Sequence, residues 1–425
     1  MNATLPEIAV DAARVVAELK KLATFSAEAE VPAGLPEPTT AVSRVVFTEP
    51  DLAMRAWFTG LCEEAGLTVR VDPMGNTFAR WGDPAASGAV GTGSHNDAIP
   101  HSGMYDGTVG VLGGLEAIRA LQRAGFVPVR PIELVMFTSE EPTRFGLGCS
   151  GSRVMTGAME AAEVAALTDP EGRSFDDVRR AAGFSGDLAD ARLAPDHFHA
   201  FVELHTEQGP LLEREGLDIG IVTAIAAPLA AEFEVLGAGG HAGAVLMPDR
   251  HDALCAAAEM VLAIEAAAKS SGAVDTVTTV GEFTPHPGHG NSIANRVRFT
   301  LDLRDTDGDR RDAAWAKIRD GIDAICARRG VTATHRVLNA DPPAACYPLV
   351  VDAVADAAAG LTTKRTISRA YHDSLFMARV CPTGMIFIPC RGGVSHRPDE
   401  FASESAIGHG VLVLARTLAR LATST

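Results

Sequence analysis

IELVMFTSEE, residues 132 to 141, is the stretch on which the fold turns. Its short apolar run reads as a strand buried on both faces, the kind found in the middle of a parallel sheet covered by helices. Its acidic end places two carboxylates where such a strand stops. Working outward, a helix from about Gly110 to Ala124 leads into it, and TVRVD (68–72), NTFARW (76–81) and AVGTGS (89–94) are short strand-like runs before that. Thr48, Pro50 and Asp51 open an earlier helix that Gly66 closes. AFVELH (200–205) and TGMIFIPC (383–390) are further strands, and a closing helix starts near Ser405. This alternation predicts an α/β fold with a mixed, mostly parallel sheet.

Between Pro228 and Asp341 the order changes. EFEVLG, a helix over 250–269, DTVTTVGEF, NRVRFTLDLRD, a helix over 309–329 and TATHRVL follow one another, which is the split βαβ pattern of an α+β unit. The reading is a discontinuous catalytic domain, residues 1–227 and 342–425, with residues 228–341 inserted into it.

Composition narrows the function. The chain has 425 residues, 47% hydrophobic and 21% charged, as in ordinary globular proteins and unlike disordered or fibrous chains. Its most apolar stretch, residues 253–268, carries Glu259 and Glu265, so no membrane span is expected. A net charge of −17 repels phosphate backbones and favours a small molecule or another protein as partner over nucleic acid. Seven cysteines, odd in number and without a CxxC pair, argue against a disulfide framework or a thiolate zinc site. The N-terminal stretch MNATLPEIAVDAARVVAELKKL has neither the basic nor the apolar region of a signal peptide, so a cytoplasmic protein is expected.

Five candidate ligands lie at or beyond the C-terminal ends of strands, where open α/β sheets present their sites: His95, Asp106, Glu141, His205 and His396. Imidazole and carboxylate suit borderline divalent ions such as Zn²⁺ and Mn²⁺. Three histidines and two carboxylates fit two ions sharing one carboxylate, and Asp106 in MYDG is the best bridge. Asp97 is placed to accept the second N–H of the His95 ring. In the Glu140-Glu141 doublet one carboxylate binds metal while its neighbour acts as general base toward an acidified water. Taken singly, each has an ordinary structural reading: a hydrogen-bonded histidine at a strand end, an acidic pair at a helix start. Their joint placement favours the chemical one.

These residues sit in segments that resemble the dinuclear-metal amidase/hydantoinase/carbamoylase family, of metal-dependent exopeptidase fold. GSHNDAIPHSGMYDG, FTSEEPTRFGLGCSGSR, ELHTEQGPLLE, GGHAGAVLMPDRHDA, NSIANRVRFTLDLRD, RAYHDSLFMARV and PCRGGVSHRPDE carry the resemblance over nearly the whole chain. Within the family the likeness is greatest to ureidoglycolate amidohydrolases, then to allantoate and N-carbamoyl-L-amino-acid hydrolases.

The resemblance implies His95 and Glu141 on separate ions, Asp106 between them, His205 and His396 completing the sets, and Glu140 as base. It implies Mn²⁺, with Zn²⁺ the alternative, and a homodimer whose inserted domain serves as lid. His241 would polarise the scissile carbonyl, and Asn291 and Arg304 would hold a substrate carboxylate. Gln208 and His372 also lie in matching segments. The plainer readings are a strand residue paired with Asp302 or Asp305 for Arg304, and a core histidine for His372. The segment CRGGVSH departs from the CYKGYSH pattern of the ureidoglycolate group, losing two tyrosines and placing Arg391 near the substrate. The expected activity is hydrolysis of a C–N bond in a small ureido or carbamoyl acid with release of ammonia. A dipeptidase and a catalytically silent binding protein are the rivals.

Overall fold

Every residue of Ile132–Phe137 is buried, because strands flank it on both sides and helices cover the sheet faces. In the computed structural model, which describes residues 7–423, it runs parallel to Ala89–His95, with His95 opposite Phe137. Residues 1–6, part of the stretch read for signal character, lie outside the described residues. Phe198–Thr206 runs parallel to Ala89–His95 on its other side, and Thr383–Ile388 runs parallel to Phe198–Thr206. These four strands form a parallel centre. Antiparallel strands flank it: Ile219–Ile225 beside Thr383–Ile388, and Thr77–Trp81 then Thr68–Val71 beside Ile132–Phe137. The parallel register aligns the strand ends that carry His95 and His205 on one side of the sheet.

Two helices pack close to this centre. Thr108–Arg123 is buried along nearly all its length. A Cβ at Gly110 would lie 2.3 Å from the Leu204 carbonyl oxygen, so glycine lets this helix approach the His205 strand. Glu404–Ala422, whose first turn Ser403 caps through Ala406 N–H, buries Ile407, Val411, Leu414 and Leu418. Full burial of such side chains stabilises by roughly 1.5–3 kcal/mol each.

A second compact unit comprises Ala224–Ala345 and Arg369–Tyr371. Its strands Ala227–Leu236, Arg296–Asp305 and Thr332–Ala340 pair antiparallel. Val297, Phe299, Leu301 and Leu303 alternate inward onto the helices Ala253–Lys269 and Gly308–Arg329, with Phe233 stacked on Phe299 at 4.8 Å. The run expected as one strand, DTVTTVGEF, is two, Val277–Thr279 and Phe283–His286, both on Arg296–Asp305. Thr279 faces Asp302 and Phe283 faces Phe299, so one surplus residue bulges out between them.

The chain passes between units after Thr223 and again after Ala345, not at 227 and 341. Ala344–Ala345 pairs with Ala224 and Ile225, so the two crossings lie side by side. Arg369 joins the second unit through Asp275, at 2.5 Å. Among the described residues no helix is long and apolar enough to cross a membrane.

Candidate metal centre

His95 is the last residue of its strand. Its Nδ1 lies 2.9 Å from the Asp97 carbonyl oxygen, which makes Nδ1–H the donor and leaves the Nε2 lone pair facing Asp106 Oδ1 at 3.7 Å. The Asp97 carboxylate does something else. It accepts the backbone N–H groups of Glu140 (3.3 Å) and Glu141 (3.0 Å), fixing the acidic doublet, and stays 3.8 Å from the imidazole it was expected to bind. His205 repeats the pattern of His95. Its Nδ1 donates to its neighbour Thr206 O at 2.9 Å, and Nε2 lies 3.1 Å from Asp106 Oδ1. Asp106 stands in a turn before the buried helix. Gly107 (φ +66) follows it, where a Cβ would lie 2.4 Å from the His95 ring.

The other oxygen of Asp106 faces a second group. His396 Nε2 is 3.2 Å from Asp106 Oδ2 and 3.4 Å from Glu141 Oε1. Two sets of potential ligands therefore share Asp106: His95, Asp106 and His205, all buried, and Asp106, Glu141 and His396, of which His396 is exposed. Within each set the ligand atoms lie within 4.8 Å of one another. Mixed nitrogen and oxygen donors at this spacing fit divalent cations.

The electrostatics match. Burial drives the carboxyl pKa of Glu140 well above the usual range, against the pull of His95, and burial with nearby Asp106 takes Glu141 up to about 7. Burial works the same way on Asp106, but the rings of His205, His396 and His95 outweigh it when each carries a second proton and donates from Nε2, holding that carboxyl well below the usual range; a cation between these groups takes the place of those protons. A hydrogen bond to Asp106 lifts His396 to about 9. Crowded buried carboxylates of this kind are relieved by a cation. Glu140 stands beside the group, with Oε2 3.6 Å from His95 Nε2 and Oε1 accepting from the Cys149 thiol at 3.5 Å.

Gln208 Nε2 donates to Asp106 Oδ2 at 2.8 Å, and so does the Ser395 hydroxyl, also at 2.8 Å. Glu400 accepts Asp106 N–H at 3.4 Å. The sequence reading missed Ser395, Glu400 and Cys149, whose only signal was nearness to His396 or to the acidic doublet. His372 is buried, 2.9 Å from the Ser368 hydroxyl, with its ring 4.5 Å from that of His205. Arg391, expected near the substrate, has other partners in the folded chain. Its guanidinium donates to the carbonyls of Pro36, Glu37, Pro38 and Asp399 instead of facing the ligands, because its side chain lies across the neck of its own loop.

The remaining candidates belong to the second unit. His241 pairs with Ser292, and Ala242 N–H donates to Asn291 O at 3.0 Å, so His241 and Asn291 are near neighbours. The exposed His241 ring accepts Gly243 N–H at Nδ1 (3.1 Å), which puts its proton on Nε2. Arg304 is held bidentately by Asp302 at 2.8 and 2.9 Å, the pairing foreseen as its plainer reading, and also contacts Arg369 O.

Residues 51–420 match the model of peptidase family M20/M25/M40. A ureidoglycolate hydrolase of Oryza sativa subsp. japonica is 48% identical over 97% of this chain and 85% of its own length. The crystal structure of AtUAH in complex with (S)-hydroxyglycine is 46% identical, with a TM-score of 0.87 over 98% of this chain and 99% of that one. A hydantoinase/carbamoylase family amidase from Burkholderia multivorans is 35% identical, also with a TM-score of 0.87, over 99% of this chain and all of that one. With the match running through both compact units and through all five clustered ligand positions, the chain belongs to peptidase family M20/M25/M40.

Proposed function

We propose that this chain is a metal-dependent amidohydrolase that cleaves a C–N bond of a small ureido or N-carbamoyl acid and releases ammonia, with ureidoglycolate as first substrate. The observation that carries the reading is the Asp106 carboxylate, one oxygen turned to each ligand set, with Glu140 alongside. A bound pair of divalent ions, Mn²⁺ by family likeness or Zn²⁺, supplies Lewis acidity that polarises a carbonyl and acidifies water. Glu140 takes a proton from that water and delivers it to the leaving nitrogen. His241 donates from Nε2 to the developing oxyanion, and Asn291 and Arg304 bind the substrate carboxylate, Arg304 exchanging Asp302 for it.

The substrate choice is supported by the solved relative's ligand. Hydroxyglycine is what remains when water removes the carbamoyl group of ureidoglycolate as CO₂ and ammonia. An N-carbamoyl-L-amino acid is the second reading. The loop CRGGVSH bears on the choice, because it lacks the two tyrosines of the ureidoglycolate pattern and with them a means of discriminating for the substrate hydroxyl. Metal-stripped protein reloaded with Mn²⁺ or Zn²⁺ should release ammonia from ureidoglycolate faster than from allantoate or a panel of N-carbamoyl-L-amino acids. Faster release from a carbamoyl amino acid would assign that substrate instead.

We further propose a homodimer formed through the inserted unit. Leu254, Ala258, Leu262 and Ala266 recur every fourth residue on the exposed side of Ala253–Lys269, and Leu262 is 65% exposed. An apolar stripe of this kind on a helix calls for a covering surface. Light scattering should give twice the chain mass for the wild type and the single-chain mass for Leu262→Glu; an unchanged mass would reject this face. All seven cysteines are free thiols, which supports a reducing compartment such as the cytoplasm.

A further inference from the structure

The loop bearing His396 is closed at its neck. Arg391 N–H donates to Phe401 O at 2.8 Å, so residues 391–401 form a compact excursion whose ends meet. Three side chains of that excursion converge on one residue: the Ser395 hydroxyl and His396 Nε2 reach Asp106 Oδ2, and Glu400 takes Asp106 N–H. The neck itself is spanned by the Arg391 side chain. Nη2 donates to Asp399 O at 2.7 Å, and Nη1 and Nη2 reach across to Glu37 O (2.9 Å), Pro38 O (3.1 Å) and Pro36 O (3.2 Å). The guanidinium carbon lies 5.0 Å from the centre of the Phe401 ring, and that ring packs edge-on against Tyr105, the residue before Asp106. A planar cation with five donors suits four carbonyls and a ring face, and lysine would satisfy fewer of them.

His396 depends on this support more than the other histidines do. His95 and His205 sit on central strands and are buried, whereas His396 stands on the excursion with a left-handed backbone (φ 59) and a side chain 48% exposed. We infer that Arg391 is a positioning residue for the ion held by Asp106, Glu141 and His396: it fixes the loop geometry that presents His396 and Ser395 to Asp106, and touches no substrate. This rests on the two-ion reading of the centre. Outer contacts that orient metal ligands change affinity by about 10- to 100-fold when removed.

The test is metal binding, independent of turnover. Calorimetric titration of the metal-free full chain with Mn²⁺ should give two equivalents for the wild type. Arg391→Ala should weaken the second equivalent by about tenfold or more and leave the first within about twofold, and Arg391→Lys should fall between them. Thermal melting checks that each variant is folded; should Arg391→Ala fail to fold, Arg391→Lys alone carries the comparison. His396→Ala is the control, expected to lose the second equivalent outright. Two wild-type equivalents in Arg391→Ala, with His396→Ala losing one, would overturn the inference. A raised KM with unchanged metal binding would return Arg391 to the substrate. Two equivalents in His396→Ala would remove His396 from the second set and overturn the inference with it, and a single equivalent in the wild type would instead sink the two-ion reading.

Discussion

Glu140→Gln should lower kcat by about 10²- to 10⁴-fold, the range expected when a positioned general acid–base group is lost. Glutamine keeps the shape and the polar contact with Cys149, but it has no site for a proton in transit. Glu140 faces His95 across 3.6 Å, yet it belongs to neither donor set around Asp106. Metal content and melting temperature should therefore stay at wild-type values. Single-turnover ammonia release, metal analysis and a thermal melt on one preparation separate the outcomes. Unchanged turnover removes Glu140 as the base; lost metal makes it a ligand.

Asp106→Asn should do more damage, because one carboxylate faces both ligand sets. Oδ1 meets His205 at 3.1 Å and Oδ2 meets His396 at 3.2 Å, so neither set is whole without it. Asparagine offers one neutral carbonyl oxygen where two anionic ones stood, and its NH₂ group faces imidazole nitrogens. Both equivalents of metal should be lost, a larger effect than the loss of any outer contact, and turnover should fall at least as far as in Glu140→Gln. Retention of one tightly bound ion would show that a single set holds metal without the shared carboxylate. A folded variant is expected, since His205 and His95 keep their carbonyl partners at Thr206 and Asp97.

What could be read from the sequence was whatever burial and periodicity encode. Ile132–Phe137 announces itself because strands and helices enclose it, leaving an apolar run broken only by Glu133, which pairs with Arg80 and His197. The strand ends then gather His95, Asp106, Glu141, His205 and His396, because a sheet with a parallel centre brings equivalent ends together. What could not be read was orientation. Asp97 stands two residues from His95 in either account, but only the folded turn shows that its carbonyl serves the imidazole and its carboxylate the amides of the doublet. Arg391 looked like a pocket residue because it neighbours His396 in the chain. Its acceptors at Pro36, Glu37 and Pro38 are some 354 residues away, and no local pattern signals a partner at that separation. The break between Thr279 and Phe283 was hidden for a similar reason, since a bulge depends on the register of the opposite strand.

The parallel pairing of Phe198–Thr206 with Thr383–Ile388 also sets an order of events during synthesis. Everything belonging to the inserted unit is made between these two neighbouring strands. A ribosome that has completed the His95 and His205 strands has still to make that unit, then the partner strand, then His396. Until then a nascent chain exposes one side of Phe198–Thr206, and the loop to be closed spans the whole insertion. Early compaction of the insertion would shorten that loop and bring the late strand to its place. Of the two ligand sets, His95, Asp106 and His205 are all made before the insertion, whereas the set with Glu141 is completed only when His396, near the end of the chain, arrives.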